Sequence, residues 1–123
     1  MSNPEPGFIS LQQAIDMTTR YRNNMTAVID PLYAGRGILC ISDTFNKAAV
    51  ATLVNKAECT AIRLYYGMDE DLHVRPILVA VNSNNEDILP VSSTLENDVV
   101  GDDIVDDASK CPPFCPPPSP LNP

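Results

Sequence analysis

Long apolar runs and positive charge are both scarce in this chain. No stretch approaches the roughly 18 consecutive apolar residues that a membrane helix needs, so no membrane partner is expected. Eight basic residues stand against sixteen acidic ones, for a formal net charge of −8. Phosphate binding relies on clustered Lys and Arg, so nucleic acid is not an expected partner either. No Gly-rich phosphate loop, Ser-centred elbow or zinc-binding helix pair is present, and Gly35-Arg36-Gly37 reads only as a turn with an exposed cation. The first seven residues hold no basic side chain and lead into no apolar run, so no secretory signal and a cytoplasmic location are expected. The four cysteines are too sparse for a disulfide scaffold. With only one histidine, His73, a catalytic constellation is hard to assemble, and the chain is expected not to be an enzyme.

What is present suits one small soluble domain: 123 residues, 44% of them apolar. The charge is unevenly placed. Residues 1–85 hold seven basic and eight acidic side chains, whereas residues 86–123 hold one basic and eight acidic. The acidity therefore belongs to the C-terminal part and not to the core. Residues 1–91 read as a small α+β domain and residues 92–123 as an acidic, proline-rich tail.

Ser10-Leu11-Gln12-Gln13 is a capping box, and apolar residues from Leu11 to Met25 recur at helical spacing. The spacing predicts a helix over 11–24. Ile38-Leu39-Cys40-Ile41 is too short to classify by period, and reads as a buried extended segment or a lead-in to a helix. Ser42-Asp43-Thr44 supplies N-caps, and the Gly- and Pro-free stretch that follows predicts a second helix over 44–57. From Thr60 the composition turns β-branched and aromatic. Thr60–Tyr66 and His73–Val81, joined by a short acidic turn, predict a β-hairpin. Pro76 cannot donate to a ladder, so it belongs at a strand start, at a bulge or with its amide outward. Ile88–Val91 is a weaker candidate for a short edge strand. The fold expected is α+β, two helices packed on a small antiparallel sheet built around that hairpin. Seven of the last twelve residues are proline, which points to polyproline II or disorder unless the tail docks on something.

Three strings together resemble a known pattern: Ile9-Ser10-Leu11 opening a helix that ends near Tyr21-Arg22, Cys59 followed by Ile62-Arg63-Leu64-Tyr65-Tyr66-Gly67, and Cys111-Pro112-Pro113-Phe114-Cys115. The chain is similar to a family of short uncharacterised bacterial proteins with a Cys-x-x-Ile-Arg-x-Tyr-Tyr-Gly strand and a closing Cys-Pro-Pro-x-Cys. The resemblance implies an architecture and a set of recurring positions, and no activity. This chain departs from the pattern by continuing through Pro116-Pro117-Pro118-Ser119-Pro120.

Several residues are candidates for chemistry. In polyproline II, four steps of about 3.1 Å place Cys111 and Cys115 roughly 12 Å apart. A disulfide needs Cα atoms within about 7 Å, so a bridge requires a turn. With such a turn the two thiols could bond to each other, or join Cys59, Cys40 or His73 around a metal. Free packing thiols are the plain alternative. No cofactor is expected. His73 beside its acidic turn reads as solvated or hydrogen-bonded, the sharper alternative being a pair with a cysteine. Arg63 and Tyr65 share one strand face, while Ile62, Leu64 and Tyr66 share the other. Arg63, Tyr65, Tyr66 and Phe114 are the candidate interaction residues, because Tyr and Arg anchor interfaces. The plain reading pairs Arg63 with Asp69 or Glu70. Asp102, Asp103, Asp106 and Asp107 read as a solvated linker and lack the ligand order of a calcium loop. Pro-Pro-Ser-Pro at 117–120 fits a proline-groove ligand by composition alone.

Two helices can cover one sheet face, yet Ile77–Val81 is apolar on both. Either the Ile38–Ile41 run or another subunit is expected to fill the gap, and open strand edges invite pairing. The expectation is a non-enzymatic interaction module that forms a homo-oligomer or binds a protein partner through its hairpin or sheet edge, with the tail docking on a neighbour. The alternative is a small metal-binding or thiol-redox protein using Cys59, Cys111 and Cys115.

Overall fold

Ser10 starts the first helix, α1 (Leu11–Asn24), with a complete capping box. Its Oγ accepts from the Gln13 amide at 3.0 Å, and the Gln13 side chain accepts from the Ser10 amide at 2.8 Å. The helix runs as the spacing predicts. The computed structural model describes residues 7–90, 101–106 and 108–123. No residue of α1 is fully buried, although Ala14, Ile15, Thr18 and Arg22 form a half-buried stripe. Two long-range bonds hold it: the Tyr21 hydroxyl donates to the Cys40 carbonyl, and Arg22 Nη1 donates to the Leu121 carbonyl at 2.7 Å. A single 3₁₀ turn, Pro31–Tyr33, follows with Asp30 as its cap.

The next segment departs from expectation. Ser42–Phe45 is a strand, β1, and not a set of caps. The second helix, α2, is therefore shorter than 44–57 and spans Lys47–Val54. Asn46 is its cap, with Oδ1 accepting from the Ala48 amide at 2.8 Å. The reason is non-local: β1 pairs antiparallel with β5 (Ala108–Cys111), with Ser42 opposite Cys111 and Phe45 opposite Ala108. Ile38–Ile41 forms neither helix nor strand. It is half-buried backbone tied at both ends, with the Val74 amide donating to Ile38 O and the Ile41 amide donating to Cys111 O.

The hairpin forms as expected, β2 (Ala61–Met68) against β3 (Val74–Val81), paired at eight positions. A short strand, β4 (Ile104–Val105), adds to the far side of β3, giving a three-stranded sheet in the order β2-β3-β4. The edge strand expected at Ile88–Val91 is absent among the described residues. Only a bridge between Val81 and Asp87 forms there, with Ile88 N donating to Ala80 O, and Val91 lies outside the described residues. Pro76 sits opposite Tyr66, away from the Leu78–Val79 stretch that β4 pairs with, so its missing N–H removes no β4 bond. Gly67 is tight for a different reason: a Cβ there would lie 2.8 Å from Ile77 Cδ1 and 3.3 Å from the Arg75 carbonyl.

The segment read as a tail is part of the fold wherever it is described. Residues 101–106 and 108–123 supply β4, β5 and a terminal turn in which Ser119 and Asn122 exchange backbone bonds at 3.1 and 3.0 Å. Instead of extending, Cys111-Pro112-Pro113 turns through two cis peptide bonds. Lys56 Nζ holds the Asp103 carboxylate at 2.8 Å and that of Asp102 at 3.3 Å, and Arg75 donates to Ala108 O at 3.0 Å. Residues 91–100 and Asp107 lie outside the description.

Leu53 of α2, Leu78 and Ala80 form the core cluster, ringed by Phe45, Val50, Cys59, Ile88 and Val105. Leu53 is fully buried, which stabilises the fold by roughly 2–3 kcal/mol. α2 thus covers the face of the sheet that carries Leu78 and Ala80.

Candidate functional site

Two polar constellations stand out. At the edge of the hairpin, Arg63 and Tyr65 project from one face of β2 and converge on one carboxylate. Arg63 Nη1 donates to Asp87 Oδ1, Tyr65 Oη donates to Asp87 Oδ2, and Arg63 Nη2 donates to the Asn85 side chain. The expected local partners, Asp69 and Glu70, are not used. The hydrogen bond from Tyr65, followed by that from Arg63, holds the Asp87 carboxyl below the usual carboxylate range. Arg63 and Tyr65 are thus engaged with a carboxylate of their own chain. Asp87 and Asn85 were missed by the sequence reading. Their signal was the Asn82–Asn85 run: Asn82 Oδ1 accepts from the amides of Asn84 and Glu86, and Asn85 adopts a φ of 63°, so the chain reverses onto β3.

The second constellation surrounds His73, at the end of the turn between β2 and β3. Asp69 Oδ1 organises that turn, accepting from the amides of Asp71 at 2.9 Å and His73 at 3.0 Å. The His73 ring lies between two other segments. Nε2 faces the Arg36 carbonyl at 2.9 Å, and Nδ1 lies 3.0 Å from Lys110 Nζ and 3.3 Å from Asp69 Oδ2. A carbonyl can only accept, so Nε2 carries a proton, while Nδ1 stands between a cation and a carboxylate. The turn before His73 is acidic, and β5 brings the Lys110 cation to the ring.

Asp69, Asp71 and His73 place a ligand atom each within 4.8 Å of one another, the one such group among the described residues. The Lys110 ammonium stands 3.0 Å from His73 Nδ1, and its charge opposes a cation there. Neither Cys59, Cys111 nor Cys115 joins a cluster of this kind among the described residues.

The cysteines part company. Cys111 and Cys115 form a disulfide, with Cα atoms 4.5 Å apart. Cys111 is buried at the end of β5, whereas Cys115 is exposed. Cys59 packs at the core cluster and its thiol donates to Ala61 O at 3.3 Å. Cys40 donates to Asp43 Oδ2 at 3.2 Å, and burial followed by that bond pushes its thiol up to about 11. It is therefore a neutral thiol at neutral pH and a poor nucleophile. The Asp102–Asp107 run is no free cluster, since Asp102 and Asp103 are paired with Lys56.

The other two candidate interaction residues are open to solvent. Tyr66 is 85% exposed on β2 and Phe114 is 68% exposed on the disulfide-closed turn. β2 lies at the edge of its sheet, and along one face Ile62, Leu64, Tyr66 and Met68 are all exposed. No helix among the described residues is long and apolar enough to cross a membrane. Compared with known proteins, the chain matches no family model, no curated protein and no solved structure.

Proposed function

We propose that this chain is a non-enzymatic module that self-associates through the free edge of β2. The observation that carries the reading is that edge itself. It is eight residues long, contains no Lys or Pro, and among the described residues no strand pairs with its outer side. Edge strands normally carry such blunting features, because their unpaired N–H and C=O groups otherwise template pairing with another chain. Its one charged residue, Arg63, is turned back onto Asp87. Leu64 and Met68 remain 44% and 58% exposed, beside the exposed Tyr66. An antiparallel β2–β2 pair about a two-fold axis satisfies both edges at once and joins two three-stranded sheets.

The groups that chemistry would draw on are occupied: both nitrogens of His73 face partners, and the Cys40 thiol stays protonated. The described tail residues pair within their own chain, so the reading rests on β2. Sedimentation of the full chain is expected to show a dimer, and Leu64→Lys or Tyr66→Lys to yield a folded monomer. A wild type that stays monomeric at high concentration overturns the reading.

The Cys111–Cys115 bridge favours a second reading, a thiol-redox role. A bridge that opens under mild reductant fits the cytoplasm, whereas one that persists fits an oxidising compartment. Thiol titration of the denatured chain separates them: two thiols before and four after mild reductant are expected for a redox pair, and two in both cases for a structural bridge.

A further inference from the structure

A cleft of about 610 Å³ opens outside the β2–β3 sheet, and no residue of either strand lines it. Its floor is the half-buried Ile38–Ile41 segment. One wall is Met25 and Ile29, just beyond α1, and another is the Pro112-Pro113 turn closed by the disulfide. The third is the Tyr33–Gly37 loop. That loop is fixed in place, because the Arg36 carbonyl accepts from His73 and Ile38 O accepts from Val74 N at 2.8 Å. The volume falls within the range of small-molecule sites, and the lining is mainly apolar, as such sites are.

The charge of the lining sets it apart from the rest of the chain. Acidic residues outnumber basic ones two to one overall, yet the cleft is lined by two cations, Arg36 and Lys110, and by no carboxylate. The Arg36 guanidinium lies 5.2 Å from the Tyr33 ring centroid, and Lys110 Nζ is held by His73 Nδ1. Among the described residues neither cation has a carboxylate within 4.0 Å. The nearby acids lie outside the lining: Asp43 faces Lys110 in the β1–β5 register, and Asp69 shares His73 Nδ1 with Lys110, with its Oδ2 at 3.3 Å from that nitrogen. Cys40 contributes a neutral thiol to the floor.

We propose that this cleft binds a small carboxylic acid with a hydrocarbon body, its chain along Ile38–Ile41 and its carboxylate between Arg36 and Lys110. Charge-assisted hydrogen bonds are worth about 1.5–3 kcal/mol, so removing either cation weakens such a ligand about tenfold or more. The site is independent of the β2 edge, and a Leu64→Lys monomer retains it.

Calorimetric titration of the full chain with decanoate, decanol and decyltrimethylammonium tests the proposal. Saturable binding of decanoate is expected, with decanol about tenfold weaker and the ammonium weaker still. Arg36→Gln, on an exposed loop, and Lys110→Gln should each weaken decanoate about tenfold and leave decanol unchanged. Equal binding of the three amphiphiles, no saturable decanoate binding, or decanoate binding unaffected by Arg36→Gln each overturns it.

Discussion

Strands β2 and β3 are paired at eight positions, yet they lie in different environments. β3 is buried from Leu78 to Val81, sandwiched between β2 and β4 with α2 over one face. β2 has the same kind of sequence and not one buried residue. Hydrogen-bonded pairing alone therefore does not make a core strand. What separates the two is a second neighbour, and β2 lacks one among the described residues.

The difference has a magnitude that substitution can read. Leu53→Ala removes the side chain packed on Leu78 and Ala80, and is expected to lower stability by about 3 kcal/mol in urea unfolding. Cys115→Ser opens a short loop at the end of β5, for an expected loss of about 2 kcal/mol in the chain-entropy account. Hydrogen exchange should then rise at β1 and β5 and stay unchanged across β2 and β3. Leu64→Ala, measured dilute enough to be monomeric, should lower stability by only about 1 kcal/mol, because the side chain is already half in water. Equal losses for Leu53→Ala and Leu64→Ala would erase the distinction between the strands.

The smallest effect expected is a pH dependence at the edge. The folded state holds the Asp87 carboxyl below its ordinary range, through Tyr65 and then Arg63. Its stabilisation is complete above the unfolded carboxylate's titration and disappears as pH falls through the lower, folded value. The stability gap between wild type and Asp87→Asn should thus be constant near neutrality and close in acid. A gap that persists in acid would mean that Asp87 acts by packing and not by charge.

The hairpin and α1 were legible in the sequence because their determinants are local: alternation over Ile62–Tyr66, and Ser10 with Gln13. β1 was not, because Ser42-Asp43-Thr44-Phe45 becomes a strand only when Ala108–Cys111 arrives beside it. Before that partner is known, Ser and Asp there are equally good caps. The same holds for the sites. Arg63 and Tyr65 could be placed on one face from spacing alone, but Asp87 reaches them only after the Asn82–Asn85 reversal. Lys110 meets His73 only through β5, 37 positions further along the chain, and no local spacing announces that pair. The apolar cleft is not legible for a related reason, since its lining joins residues between Met25 and Ile41 to Lys110, Pro112 and Pro113, far along the chain.

Gly67 turns the contrast between the strands into a pattern of mutational tolerance. An exposed strand ordinarily accepts most side chains at every position. On β2 that freedom should hold for folding at Ile62, Leu64 and Tyr66, and narrow at Gly67, where a methyl group must displace the tip of Ile77 and crowd the Arg75 carbonyl. A library selected only for folded protein would leave β2 varied, with small residues favoured at position 67. Selection for assembly would fix the side chains that folding leaves free.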